Sequence, residues 1–141
     1  MRLLTVFGAL SVAALLSAAS ALADDTQDFQ DCKSGLKDIV LPACTRLIDA
    51  KKLSGKSLID AYYFRSSEYI NLANWDAALS DAEHCIELAP KDKDCINQMG
   101  RAYQGQGDND RAMTYYQKAI EVDPNYVTGW ANIGYTFNQK G

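Results

Sequence analysis

The stretch Lys93–Pro124, KDCINQMGRAYQGQGDNDRAMTYYQKAIEVDP, decides the fold. Ile96, Met99, Gly100 and Tyr103 recur at the spacing of one helix face. Gly105-Gln106-Gly107-Asp108 then reads as a turn. Ala112, Tyr116, Ala119 and Ile120 form a second helical face, and Pro124 closes it. Two helices around a short turn make one hairpin.

The hairpin repeats. Moving back 34 residues carries Pro124 to Pro90, Tyr103 to Tyr69, Ala112 to Ala78, Ile120 to Ile86 and Asp110 to Asp76. Moving forward 34 carries Gly100 to Gly134, Tyr103 to Phe137 and Gly107 to Gly141. A fixed period of this length marks a helix-turn-helix array. Each unit of such an array buries its apolar face only against its neighbours. The expected fold class is therefore all-α, an array of antiparallel helix pairs.

The preceding unit runs from Ile59 to Pro90. Tyr62, Tyr69 and Leu72 mark its first helix. Asn74 is placed to cap the second helix, whose inner face carries Ala78, Leu79, Ala82, Cys85 and Ile86. Pro90 ends that helix. Glycine inside a helix costs about 1 kcal/mol against alanine. Gly100 and Gly134, both mid-helix, therefore predict close helix approach at each place.

These residues resemble the tetratricopeptide repeat family, whose pattern is W-x2-L-G-x2-Y, a glycine turn, A-x3-F/Y-x2-A and a closing proline. The second unit matches with Ile96, Met99-Gly100, Tyr103, Gly107, Ala112, Tyr116, Ala119 and Pro124. A third begins with Trp130, Ile133-Gly134 and Phe137. The first unit is looser: Tyr62 stands at the Trp place, Arg65-Ser66 replaces Leu-Gly, Ala73 replaces the turn glycine and Cys85 replaces the last alanine. The resemblance implies a right-handed superhelix whose function is to bind other proteins.

The resulting division is a signal peptide over 1–23, a degenerate helical hairpin over 24–58, repeat units over 59–92 and 93–126, and the first helix of a third unit over 127–141, either a cap or a truncation. Arg2, the apolar run Leu3–Leu22 and Ala21-Leu22-Ala23 before Asp24 have the composition of a secretory signal. In the degenerate unit Gly35 is the expected turn and Ile39–Ala50 the second helix, with Pro42 either in its first turn or at a kink. The loop Lys51–Ser57 follows. Asp31-Cys32, Ala43-Cys44-Thr45-Arg46 and Leu53-Ser54-Gly55-Lys56 are similar to exported repeat proteins of alphaproteobacteria. A periplasmic or secreted location is expected.

Four cysteines, Cys32, Cys44, Cys85 and Cys95, follow the signal. An even count in an exported chain implies two disulfides, with three possible pairings. Cys85 and Cys95 lie five residues on either side of Pro90, so antiparallel helices place them opposite each other. Cys32 and Cys44 flank the Gly35 turn. The expected pairs are Cys32 with Cys44 and Cys85 with Cys95. No C-x-x-C occurs, which argues against zinc and against redox-active thiols.

Without Arg2 the chain carries 13 basic and 18 acidic side chains, net −5. That balance and the lack of a basic cluster argue against nucleic acid and anionic lipid as partners. His84 is the sole histidine, beside Glu83 and Glu87, so no Ser/His/Asp set can form. Asp92, Asp94, Asp108 and Asp110 lack the D-x-D-x-D-G loop of a calcium site. No catalytic residue, metal or cofactor is expected. The repeat resemblance implies a concave partner groove lined by the first helices: Tyr63 and Ser67, then Asn97, Arg101 and Gln104, then Ala131, Tyr135 and Asn138. The Lys/Asn/Arg clamp of the chaperone-binding members is missing, because Tyr63, Ser67, Gln98, Thr128 and Asn132 hold its places. The expected function is capture of a partner protein or peptide. The alternatives are an accessory factor for a redox or assembly enzyme, and a self-associating module that stacks through the apolar face after Asn125.

Overall fold

The computed structural model describes residues 25–140, so the signal-peptide reading of 1–23 lies outside the described residues. Helical residues 25–33 form α1. It is followed by α2 (Lys37–Asp49), α3 (Gly55–Asn71), α4 (Trp75–Leu88), α5 (Lys93–Gly105), α6 (Asn109–Val122) and α7 (Val127–Lys140). From α2 onward each helix packs on the next, and α3 also touches α5. No strand occurs among the described residues. This is an all-α repeat array.

The local sequence accounts for where the helices start and stop. Asn74 Oδ1 accepts from the Ala77 amide at 3.4 Å, Asp108 Oδ1 from Arg111 at 2.9 Å, and Asp92 Oδ1 from Asp94 and Cys95 at 2.9 and 3.1 Å. Each carboxylate or amide oxygen satisfies an amide that the first helical turn leaves unpaired. Between α5 and α6 the chain turns at Gly107 with φ 84°. Ala73 holds the same repeat place with φ 56°, in the left-handed region that disfavours a side chain. The turn geometry is kept although the sequence there has lost its glycine.

Three boundaries differ from the sequence reading. Helix α3 begins at Gly55, so most of the expected Lys51–Ser57 loop is short and the first turn of α3 takes up the rest. Leu72 is the C-cap of α3 and 57% exposed, not a core residue. Helix α2 begins at Lys37, which puts Pro42 beyond the first turn. Pro42 has no N–H, so the Asp38 carbonyl receives no helical hydrogen bond from that position.

The core is built from small residues. Ala78, Ala82, Ala102, Ala112 and Ala119 are fully buried, which lets helix axes approach closely, and Tyr116 fills the space left between α5 and α6. A second cluster at the front joins Val40, Ala43, Cys44 and Leu47 of α2 to Cys32 and Ala61, with Phe29 and Phe64 at its edge. Cys32 is bonded to Cys44 with Cα atoms 4.8 Å apart, and Cys85 to Cys95 at 5.5 Å. The first bridge ties α1 to α2 and the second ties α4 to α5. Each closes a loop of 12 or 10 residues, worth about 3 kcal/mol in the chain-entropy account.

Arg65, at the place of the family's leucine, turns inward. Its guanidinium forms a two-pronged pair with Asp81 of α4, at 2.7 and 2.8 Å, and approaches Thr45 Oγ1 at 3.5 Å. The rings of Tyr62 and Tyr69 lie 5.8 and 6.0 Å from it.

Candidate partner-binding groove

The expected groove residues fall on the shared face of α3, α5 and α7 because the array repeats every 34 residues. Ser67, Arg101 and Tyr135 form one column at that spacing, and Tyr63, Asn97 and Ala131 another. The columns differ in what they leave open.

Asn97 is buried at 4% exposure, and its Oδ1 accepts from Asn132 Nδ2 at 2.8 Å. Gln104 donates to Thr136 Oγ1 at 2.6 Å and accepts from the Tyr116 hydroxyl at 3.0 Å. These amides join one first helix to the next. Tyr135 and Asn138 are exposed, while Tyr63, Ser67 and Arg101 are half-buried. Arg101 Nη1 donates to Gln98 Oε1 at 2.8 Å and to Ser67 Oγ at 3.5 Å. Neither Nη2 nor Nε of Arg101 forms a hydrogen bond among the described residues, so that edge of the guanidinium faces the groove with donors in hand.

Gln98 is fully buried and holds this arrangement: its Nε2 also reaches the Tyr63 carbonyl at 3.5 Å. The sequence placed Gln98 and Asn132 only at the empty clamp positions. Their structural role is visible in hindsight as two amides 34 residues apart. The Tyr63 hydroxyl is pushed above its ordinary pKa by burial and then by Asp94, with Arg101 pulling the other way. A hollow of about 180 Å³ adjoins it, lined by Ile59, Asp60, Phe64, Asp94 and Cys95. Tyr126 donates to Asp94 Oδ1 at 2.8 Å and closes that end.

His84 is exposed, 3.3 Å from Glu87 Oε2, with its ring 5.1 Å from that of Tyr62. Among the described residues no three His, Cys, Asp or Glu side chains cluster to hold a metal ion, and no helix is long and apolar enough to cross a membrane.

Tyr116 supplies a pH test of the packing. Burial raises its pKa above the ordinary value of tyrosine, and Arg101 opposes this weakly. The folded state therefore favours the neutral phenol. The contribution is complete below the unfolded pKa of about 10 and is lost as pH rises above it. Stability in urea titrations is expected to fall by up to about 1.4 kcal/mol per pH unit above pH 10 from this residue. Tyr116→Phe should flatten that slope; an unchanged slope would assign it to other groups.

Comparison with known proteins agrees with this geometry. A tetratricopeptide repeat profile matches residues 59–92, and a second TPR repeat profile matches residues 100–141. The heat shock protein STI1 of Saccharomyces cerevisiae is 39% identical over 62 residues, 44% of this chain and 10% of that protein. The photosystem I assembly protein Ycf3 of Acaryochloris marina is 32% identical over 87 residues, 58% of this chain and 52% of that protein. The chain thus spans from a tenth to about half of the curated relatives it matches. Among solved structures, MamA superimposes with a TM-score of 0.72 at 21% identity, covering 92% of this chain and 76% of MamA. The first TPR domain of human RPAP3 gives 0.68 at 19% identity, covering 84% and 90%. At these identities the structural likeness is one of fold. The profiles, the relatives and the helix packing agree that this chain is an all-α array carrying tetratricopeptide repeats, the repeat class from which protein–protein interaction scaffolds are built.

Proposed function

We propose that the array is an exported scaffold that holds a segment of a partner protein against the α3–α5–α7 face, centred on Arg101. One observation carries this reading: Arg101 is anchored through Nη1 alone, by Gln98 and Ser67, and keeps the rest of its guanidinium for a ligand. A planar guanidinium fixed in this way pairs with a carboxylate or with backbone carbonyls. Tyr135 and Asn138, both exposed, add a ring and an amide alongside. Export is supported by the signal-like segment at 1–23 and by two disulfides, which persist in oxidising compartments.

The test is capture from a periplasmic extract by the immobilised chain. Arg101→Glu is expected to lower recovery of the captured partner by about tenfold or more, with helicity and melting temperature unchanged. Equal recovery would remove Arg101 from the binding surface.

Self-association is a second reading, favoured by Val127, Trp130 and Phe137 of α7, which are 79%, 53% and 70% exposed. Light scattering that shows only monomer at high concentration would end it. The redox-accessory alternative has less support, since the described residues contain no free cysteine.

A further inference from the structure

We propose that the trough between α4 and α6 is a second binding site, which takes a basic–apolar–basic segment of a partner chain. Its floor includes Ile96 and Met99 of α5, at 6% and 7% exposure. By helical periodicity these lie on the opposite side of α5 from Asn97 and Arg101. The trough is therefore separate from the Arg101 face.

Two adjoining recesses make the trough. The first, of about 490 Å³, has Glu83, Ile86 and Glu87 on the α4 side and Tyr115 and Lys118 on the α6 side. The second, of about 460 Å³, shares Pro90, Ile96 and Lys118 with it and ends at Glu121 and Val122. Either volume suits a side chain of a peptide ligand.

The α6 wall is rigid and its cations are engaged. The rings of Tyr103 and Tyr115 stack with centroids 5.5 Å apart. Arg111 lies 4.9 Å from the Tyr103 ring centre, and Lys118 lies 4.8 Å from that of Tyr115. Such contacts satisfy part of each positive charge. The carboxylates are less well matched. Glu83 and Glu121 have no ion pair among the described residues, and Glu87 has only His84, which is charged only when protonated. The rim is thus acidic over an apolar floor.

A repeat-related recess shows what is particular to this one. It has about 500 Å³ and is lined by Ile48, Leu53, Leu58 and Tyr62, and its rim carries Asp49 and Lys51. The apolar hollow follows from the repeat geometry, whereas the unmatched acidic rim belongs to the α4–α6 trough alone. Charge complementarity therefore selects a cationic partner there.

The dimensions select its shape. Glu83 to Pro90 spans seven residues of rise along α4, about 10 Å, which accommodates about three residues of extended chain. In an extended chain the middle side chain points down and its neighbours point up. An apolar residue then meets Ile96 and Met99, while flanking Lys or Arg residues reach Glu83 and Glu87 on one side and Glu121 on the other.

The experiment titrates the synthetic peptide Ac-Gly-Arg-Leu-Arg-Gly-NH2 into the full chain and follows the methyl resonance of Met99. A saturable shift is expected. Binding should weaken by about tenfold for the peptides with Arg-Ser-Arg or Glu-Leu-Glu in its place, and for the Glu83→Gln/Glu87→Gln variant. It should also weaken as salt is raised. Arg101→Glu should leave the Met99 shift unchanged, which keeps the outcome independent of the first site. The proposal is overturned if Met99 does not respond at millimolar peptide, if the three peptides bind equally, or if the shifts fall on the Arg101 face.

Discussion

Asp81→Ala is expected to destabilise the array by about 3–5 kcal/mol, the cost of leaving a buried charge without its partner. Asp81 is 3% exposed and grips Arg65 through both carboxylate oxygens, while the Arg65 side chain is 14% exposed. Removing the carboxylate strands the guanidinium between α3 and α4 with only Thr45, at 3.5 Å, still within reach. The pair itself is not a large source of net stability, because both charges have lost water. Arg65→Leu/Asp81→Leu, which restores leucine at the family's place, should therefore recover most of the loss. Urea denaturation followed by circular dichroism measures all three chains. If the single variant lost less than about 1 kcal/mol, the pair would be solvated and the inward reading of Arg65 would fail.

Gly100→Ala and Gly134→Ala are expected to act in opposite directions. A Cβ on Gly100 would lie 2.5 and 2.7 Å from Cε1 and Cδ1 of Tyr116. That ring cannot withdraw, since Tyr116 is fully buried and its hydroxyl donates to Gln104 at 3.0 Å. Overpacking of this kind costs about 1–3 kcal/mol, partly offset by the helix propensity of alanine. A Cβ on Gly134 would meet nothing within 4 Å. There only the propensity acts, and Gly134→Ala should stabilise α7 by up to about 1 kcal/mol. Thermal melts of the two variants give the comparison directly. A neutral Gly100→Ala would mean that Tyr116 is free to move, against its burial. This also corrects the expectation of close approach at Gly134, because among the described residues no helix lies over that face.

Much of the architecture was legible in the sequence because its cause is local. Apolar spacing, the capping residues Asn74 and Asp108, and the prolines Pro90 and Pro124 define each hairpin without reference to distant parts of the chain. The first unit was harder to read. Ala73 keeps the left-handed turn that glycine holds at 107, and the turn residue gives no sign of it. Pro42 sits past the first turn of α2, where local preference argues against a helix and tertiary packing of Val40, Ala43 and Leu47 prevails. The candidate groove shows the same limit. The repeat placed Asn97, Arg101 and Gln104 on one face, but could not show that Asn97 and Gln104 bond to Asn132 and Thr136 while Arg101 keeps an open edge.

The sequence alone determined the 34-residue period, the all-α class and a set of glycines and cysteines at defined repeat positions. Periodicity is a one-dimensional property and specifies which side of a helix a residue occupies. Only the tertiary structure decided that Gly100 lies under Tyr116 while Gly134 lies open, that Arg65 finds Asp81, and that α4 and α6 enclose an acidic trough. Those outcomes depend on which helix comes to rest against that side and at what distance. Close packing sets both, through contacts between residues far apart in the chain.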